Sequence, residues 1–191
     1  MDRRTDIDEQ LRISRLTGYM TAGDRKAAAA EYAFFVRRYS SSVLDFVARM
    51  VGNRADAEEL AQNVFVKAYK AVAQFEGRSS FLTWLIRIAY NESINHLRRR
   101  KVRWIDIDEA LIADSGESDD ELSTGSEERI RLLESALDDL PPDERMLVHL
   151  YYYDDKPLQE IAYIVDAEPN ALAVRLHRIR KKLLIMIKNK E

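Results

Sequence analysis

Residues 105–128, IDIDEALIADSGESDDELSTGSEE, carry ten acidic side chains and no basic one. Serine and glycine fill much of the rest. A stretch this polar cannot bury enough apolar surface to offset the entropy of ordering it. It therefore divides the chain into two bodies that must each fold around a core of their own. Before it, residues 20–104 carry 15 basic and 8 acidic side chains; after it, residues 129–191 carry 11 of each. Residues 1–19 carry four of each and show only weak apolar spacing at Leu11, Ile13 and Leu16. This charge pattern predicts a polar N-terminal extension over 1–22, a basic module over 23–104, an acidic linker over 105–127 and a second module over 128–191.

Both bodies read as helical. The chain has 6 glycines and 4 prolines in 191 residues, too few for a turn-dense β fold. Apolar residues recur at helical spacing along both modules. The expected fold is all-α: two small helical domains joined by a flexible acidic linker, the second with a helix-turn-helix. No apolar run is long enough to cross a bilayer, so no membrane insertion is expected. The opening MDRRTDIDEQ has no signal-peptide core. With no cysteine there is neither a disulfide framework nor a cysteine-based zinc site. A cytoplasmic location fits these features. His96, His149 and His177 are scattered, and no pair has the spacing of a metal-binding HExxH. No catalytic residue, metal or cofactor is expected, and the chain does not read as an enzyme.

In the first module, Gly23-Asp24 offers a turn and a helix cap, and the run that follows reads as two amphipathic segments ending at Gly52-Asn53. Arg54 to Phe75 is the clearest helix, with Leu60, Val64, Ala68 and Val72 on one stripe. Asp56, Glu59, Gln62 and Asn63 lie off that stripe. Such an acidic and amide patch either docks a basic partner or keeps an ordinary helix soluble.

A helix then begins near Ser80, capped by Ser79 or Ser80. At about 100° per residue, Leu82, Leu85, Ile86, Ala89, Ser93 and Leu97 share one side. Trp84, Arg87, Asn91, Asn95 and Arg98 share the other. Cations, amides and a large π-surface are the groups that hold phosphates, read base edges and stack on unpaired bases. A solvated polar face is the plainer reading. Five basic residues among 98–103 (Arg98, Arg99, Arg100, Lys101 and Arg103) exceed what a helix C-terminus needs and favour phosphate.

In the second module, a helical pattern through Ile130, Leu133, Leu137 and Leu140 stops at Pro141-Pro142. A helix with Met146, Leu147, Leu150 and Tyr151 inward follows. Then comes a short helix with Leu158, Ile161, Ala162 and Val165 inward, a tight turn at Asp166-Ala167-Glu168, and a last helix opened by Pro169. Short helix, tight turn and second helix match a helix-turn-helix. Arg175, Arg178, Lys181 and Lys182 gather opposite the apolar stripe of the last helix, the charge pattern of a helix that enters the major groove. A generic amphipathic terminal helix has the same periodicity.

Three stretches in order carry a family resemblance. Residues 56–65, DAEELAQNVF, resemble the region 2.2 signature of bacterial RNA polymerase sigma factors. Residues 81–91, FLTWLIRIAYN, resemble their region 2.3 to 2.4 helix, and Leu140-Pro141-Pro142, Glu160-Ile161-Ala162 and residues 175–183 resemble region 4. With no domain between, the plan is similar to the extracytoplasmic-function (ECF) sigma factors. The resemblance implies a protein that binds core RNA polymerase through its β′ and β subunits, recognises the −10 and −35 promoter elements and directs initiation with promoter melting. It implies that Asp56, Glu58, Glu59 and Gln62 meet the polymerase. It implies that Gly77, Arg78, Ser79, Ser80, Trp84, Arg87, Asn91, Asn95, Arg98, Arg99, Arg100 and Lys101 meet the −10 DNA. Ala171, Val174, Arg175, Arg178, Lys181 and Lys182 would meet the −35 DNA. An anti-sigma factor is implied as a further partner.

Some positions depart from the pattern. Asn63 replaces the usual glutamate, Ala171 and Val174 stand where threonine and serine are common, and Asp166 takes the place of a frequent turn glycine. A regulator with a C-terminal helix-turn-helix is the competing reading. It leaves the separate DNA-like face at Trp84 to Arg103 without a purpose.

Overall fold

The structure, a computed structural model, describes residues 3–100 and 127–190. All regular structure among the described residues is helical. The chain divides into two compact units, Met1–Arg99 and Arg100–Glu191. Residues 101–126, and with them most of the linker and Lys101, lie outside the described residues.

The first unit has four helices: α1 (Arg3–Thr21), α2 (Arg25–Val51), α3 (Arg54–Ala71) and α4 (Phe81–Arg99). α2 is central and packs against the other three. Asp24 caps it, accepting from the Ala27 N–H at 3.0 Å. Gly52 ends it in the left-handed region, at φ 69°, a conformation glycine adopts without a Cβ penalty. The next residue, Asn53, caps α3 by accepting from the Asp56 N–H at 3.0 Å. Where two segments were expected over 25–51 there is one 27-residue helix. No glycine or proline interrupts it, and Tyr39 and Val43, either side of the serine run, are both buried in the same core. α3 ends earlier than expected, in a single 3₁₀ turn over Val72–Gln74.

The N-terminal segment is a 19-residue helix packed on α2. Leu16 is fully buried, whereas Leu11 is 53% exposed. Much of the interface is charged. Glu9 is buried, accepts from the Tyr39 hydroxyl, and lies 2.9 Å from Arg38 Nε. Arg12 meets Glu31 at 3.1 Å and covers the Phe34 ring at 4.0 Å.

The second unit holds α5 (Glu127–Asp139), α6 (Pro142–Val148), α7 (Leu158–Val165) and α8 (Pro169–Lys188). A π-helical turn over His149–Tyr153 extends α6. α8 packs against α5, α6 and α7. Leu140, Leu147, Leu150, Ile161 and Ile164 are fully buried. Five residues of the expected apolar pattern are not buried: Ile130 and Tyr151 are exposed, and Leu133, Leu158 and Val165 are half-buried, with Ile164 in the core beside α7's Ile161. Between α7 and α8, Asp166 occupies the left-handed region at φ 58°. Aspartate is among the few non-glycine residues that tolerate it, which lets the tight turn close without glycine.

Candidate functional site

Three surfaces carry the candidate residues. On α3, Glu58, Glu59 and Gln62 are exposed, as the periodicity of the helix requires. Asp56 is half-buried and points toward α4, its Oδ2 3.5 Å from His96 Nε2. That spacing is an ion-pair distance rather than a hydrogen bond, and the ring nitrogen has no hydrogen-bond partner. Arg54 sits 3.1 Å from Glu58, an exposed pair of small energetic weight. Val66, not singled out in the sequence, lies one turn beyond Gln62 and is 52% exposed. The signal was available: Val66 is a β-branched residue off the buried stripe, within an otherwise polar face.

The second surface is α4 with the loop before it. Ser80 is the cap: its Oγ accepts from the Thr83 N–H at 3.1 Å and shares a 2.7 Å bond with the Thr83 hydroxyl. Gly77 turns the loop at φ 70°. Arg78 and Glu76 pair at 2.5 Å on the surface. Phe35 and Phe81 stack with centroids 4.4 Å apart, anchoring the start of α4 in the core. Trp84 was expected on the open polar face. It is half-buried, 5.3 Å from both Phe75 and Phe81, because the loop folds back over it. Beyond it Arg87 is half-buried, Asn91, Asn95 and Arg98 are exposed along one side of the helix, and Arg99 and Arg100 are exposed at and just past its end. On the inner side Leu85, Ile86, Ala89 and Ser93 are buried as expected, whereas Leu82 and Leu97 are half-buried. The result is a helix whose first turns are fixed by aromatic packing and whose last turns offer amides and cations to solvent. That arrangement suits a polyanion with unpaired bases.

The third surface is α8. Ala171, Val174 and Arg178 are exposed and Lys181 is half-buried. Two expected members are turned elsewhere. Lys182 is almost fully buried, its ammonium 3.1 Å from Glu144 Oε2 on α6. Arg175 is half-buried and pairs with Asp143 at 2.5 Å. Lys182 therefore does not share the outer face, a correction to the sequence reading; the cause is the acidic start of α6, which α8 crosses. His177, exposed and 3.3 Å from Arg180 through Nδ1, joins the outer face.

Among the described residues no group of three histidine, aspartate or glutamate side chains could hold a metal ion, and no helix is long and apolar enough to cross a membrane.

The Sigma-70 region 2 family matches residues 35–103, and the Sigma-70 region 4 family matches residues 130–183. The chain is 33% identical over 186 residues to the ECF RNA polymerase sigma-E factor of Escherichia coli K12, covering 93% of this chain and 95% of that protein. It is 31% identical over 170 residues to the RNA polymerase sigma-H factor of Pseudomonas aeruginosa, covering 84% and 86%. In fold it is similar to the sigma factor RpoE of Bartonella quintana, solved with the anti-sigma factor NepR, at a TM-score of 0.57 and 20% identity over 83% of this chain and 97% of that one. It is similarly related to CnrH, solved with the cytosolic domain of CnrY, at a TM-score of 0.57 and 21% identity over 92% and 97%. The two helical units, in this order and over this length, place the chain in the extracytoplasmic-function family of RNA polymerase sigma factors, which direct transcription initiation at promoters.

Proposed function

We propose that the three surfaces divide the work of initiation. The exposed acidic face of α3, with Glu58, Glu59 and Gln62, docks core RNA polymerase through its β′ subunit, and Asp56 belongs to this contact at its α4 edge. The loop at Gly77, Arg78, Ser79 and Ser80 and the face through Trp84, Arg87, Asn91 and Asn95 receive the −10 element as it melts. Arg98, Arg99, Arg100 and Lys101 hold the backbone by charge. The outer face of α8 reads the −35 element through Ala171, Val174, Arg178 and Lys181. Arg175 contributes from its Asp143 pair, and Lys182 acts behind the surface.

One observation supports this reading above the others. The exposed amides and cations of α4 form one continuous edge next to a half-buried indole. A single-strand platform needs that combination, and a solvated helix does not. There is no bond-breaking chemistry in this plan: binding energy for the separated strand drives opening. With the β subunit as a second polymerase contact, an anti-sigma factor is the remaining proposed partner. RpoE of Bartonella quintana was solved with one, NepR, which supports the proposal.

Co-purification with core polymerase, followed by transcription from a supercoiled promoter library, tests the whole reading. Binding to core and promoter-selective transcripts are expected. Tight duplex binding by the free protein with no affinity for core would instead establish a helix-turn-helix regulator.

A further inference from the structure

Two neighbouring acids at the start of α6 hold two cations of α8, and the two pairs end differently. Glu144 takes Lys182, whose side chain is 5% exposed and so enclosed in the fold. Asp143 takes Arg175 at 2.5 Å, and there the side chains stay 34% and 39% exposed. On a wheel Arg175 lies about 20° from Lys182 and about 40° from Ala171. Ala171 is exposed on the outer face. Arg175 therefore stands at the seam between the flank that α6 covers and the face that is open.

The contact engages one nitrogen. Arg175 Nη2 donates to Asp143 Oδ2, and this is the one polar contact of either side chain among the described residues. A guanidinium has five N–H donors, so a single bond leaves an edge of two parallel donors intact. What the bond removes is freedom of aim. Asp143 lies in the first turn of α6, a helix packed on α8, so the anchor is itself fixed. The rest of the face makes that edge matter. Ala171 and Val174 are exposed and have no hydrogen-bonding side-chain group. Lys181 is a point charge, suited to phosphate. Bidentate recognition of guanine O6 and N7 needs an arginine fork, held close to its productive angle.

We infer that Asp143 is a positioning residue for DNA reading: from outside the helix-turn-helix it aims Arg175 at a guanine in the major groove. This rests on the reading of α8 as the element that meets the −35 DNA. A long side chain ordered before binding, rather than during it, gives about a fivefold advantage.

The test is transcription by the holoenzyme, reconstituted from the full chain and core polymerase, on supercoiled templates with each −35 position randomised. At one position G·C pairs should outnumber A·T pairs about tenfold among productive promoters, and Arg175→Ala should bring that position to parity. Asp143→Ala should lower the preference there about fivefold and leave the other positions unchanged. Asp143→Asn keeps an acceptor oxygen and should lose less; it decides the matter if Asp143→Ala fails to fold. In the Arg175→Ala background neither Asp143 variant should have a further effect at that position. Arg178→Ala probes the same face independently. A uniform loss at every position would make Asp143 a structural residue only. Tighter promoter binding with a steeper salt dependence would mean that Asp143 withholds Arg175 from phosphate. Either result overturns the proposal. If Arg175→Ala or Arg178→Ala alters the −35 profile while the folded Asp143 variants do not, the role of Asp143 falls and the α8 reading stands. If none of them alters any −35 position, both fall.

Discussion

Lys182→Met separates a structural lysine from a DNA-binding one. The Lys182 ammonium lies 3.1 Å from Glu144, and the two side chains are 5% and 23% exposed. At an effective dielectric of about 20 the gross attraction at this distance is about 5 kcal/mol. Desolvation of a lysine so buried cancels most of it. What the substitution removes is the compensation for Glu144. Breaking a fully buried pair costs about 3–5 kcal/mol. Water still reaches Glu144, so about 2 kcal/mol is expected here. Methionine keeps the length of the buried lysine stem, so its apolar packing changes little. Lys182→Ala should cost about 2 kcal/mol more, at about 0.8 kcal/mol for each buried methylene lost. The double variant Lys182→Met with Glu144→Gln should return to within about 1 kcal/mol of the parent, because neither charge is left unpaired.

Hydrogen exchange of the α8 amides in the full chain reads this directly. A loss of about 2 kcal/mol accelerates exchange through unfolding of the second unit about thirtyfold. Affinity for promoter DNA should fall only in proportion to unfolding. Arg178→Ala should behave in the opposite way, with little change in exchange and a salt dependence of promoter binding shallower by about one. Unchanged exchange in Lys182→Met together with a shallower salt slope would refute the assignment and return Lys182 to the DNA face.

Leu16→Ala should cost about 3 kcal/mol, the usual range for a buried leucine being about 2–5. Exchange over residues 3–21 should rise far more than over 25–51; equal rises would mean that α1 is not a separable docked element. Trp84→Ala removes two aromatic contacts worth about 0.5–1.5 kcal/mol each. Promoter opening, followed by permanganate footprinting, should drop at least tenfold while core-polymerase affinity stays within about threefold; matching losses would point to misfolding. Tyr39 provides a pH test. Burial, with the bond to Glu9 next in weight, pushes its hydroxyl up to about 12 from an ordinary 10. The folded state thus holds this proton more tightly than the unfolded chain, so the stabilisation is complete below pH 10 and is lost as pH rises toward 12. Tyr39→Phe should flatten the stability profile over that window; an unchanged slope would exclude Tyr39 as its source.

The sequence disclosed whatever depends on helical period and little that depends on which helix crosses which. Asn91 and Asn95 fall outward, and Leu85 and Ala89 inward, because α4 has one buried side and the period alone assigns it. Lys182 shows where period stops. On a wheel it lies about 40° from Met186 and about 60° from Ile179, at the margin of the buried stripe rather than opposite it. Whether a marginal lysine reaches solvent depends on what covers that flank. The cover is Glu144, 38 residues away, on a helix whose crossing of α8 no local pattern states.

α1 was harder to read, for a related reason. Glu9, Arg12 and Leu16 share one face at helical spacing, so the buried side of this helix is largely ionic, and a search for apolar stripes passes over it. A different pattern was present. If Gly23 turns the chain back on itself, α1 and α2 run antiparallel, and residues equally far from the turn come side by side. Glu9 stands fourteen residues before Gly23 and Arg38 fifteen after it; Arg12 stands eleven before and Glu31 eight after. Opposite charges mirrored about a glycine therefore specify the hairpin that hydrophobicity leaves blank. The same hairpin carries Glu9 and Gln10 to the loop before α4, so the element least legible in the sequence lines the cavity beside that loop.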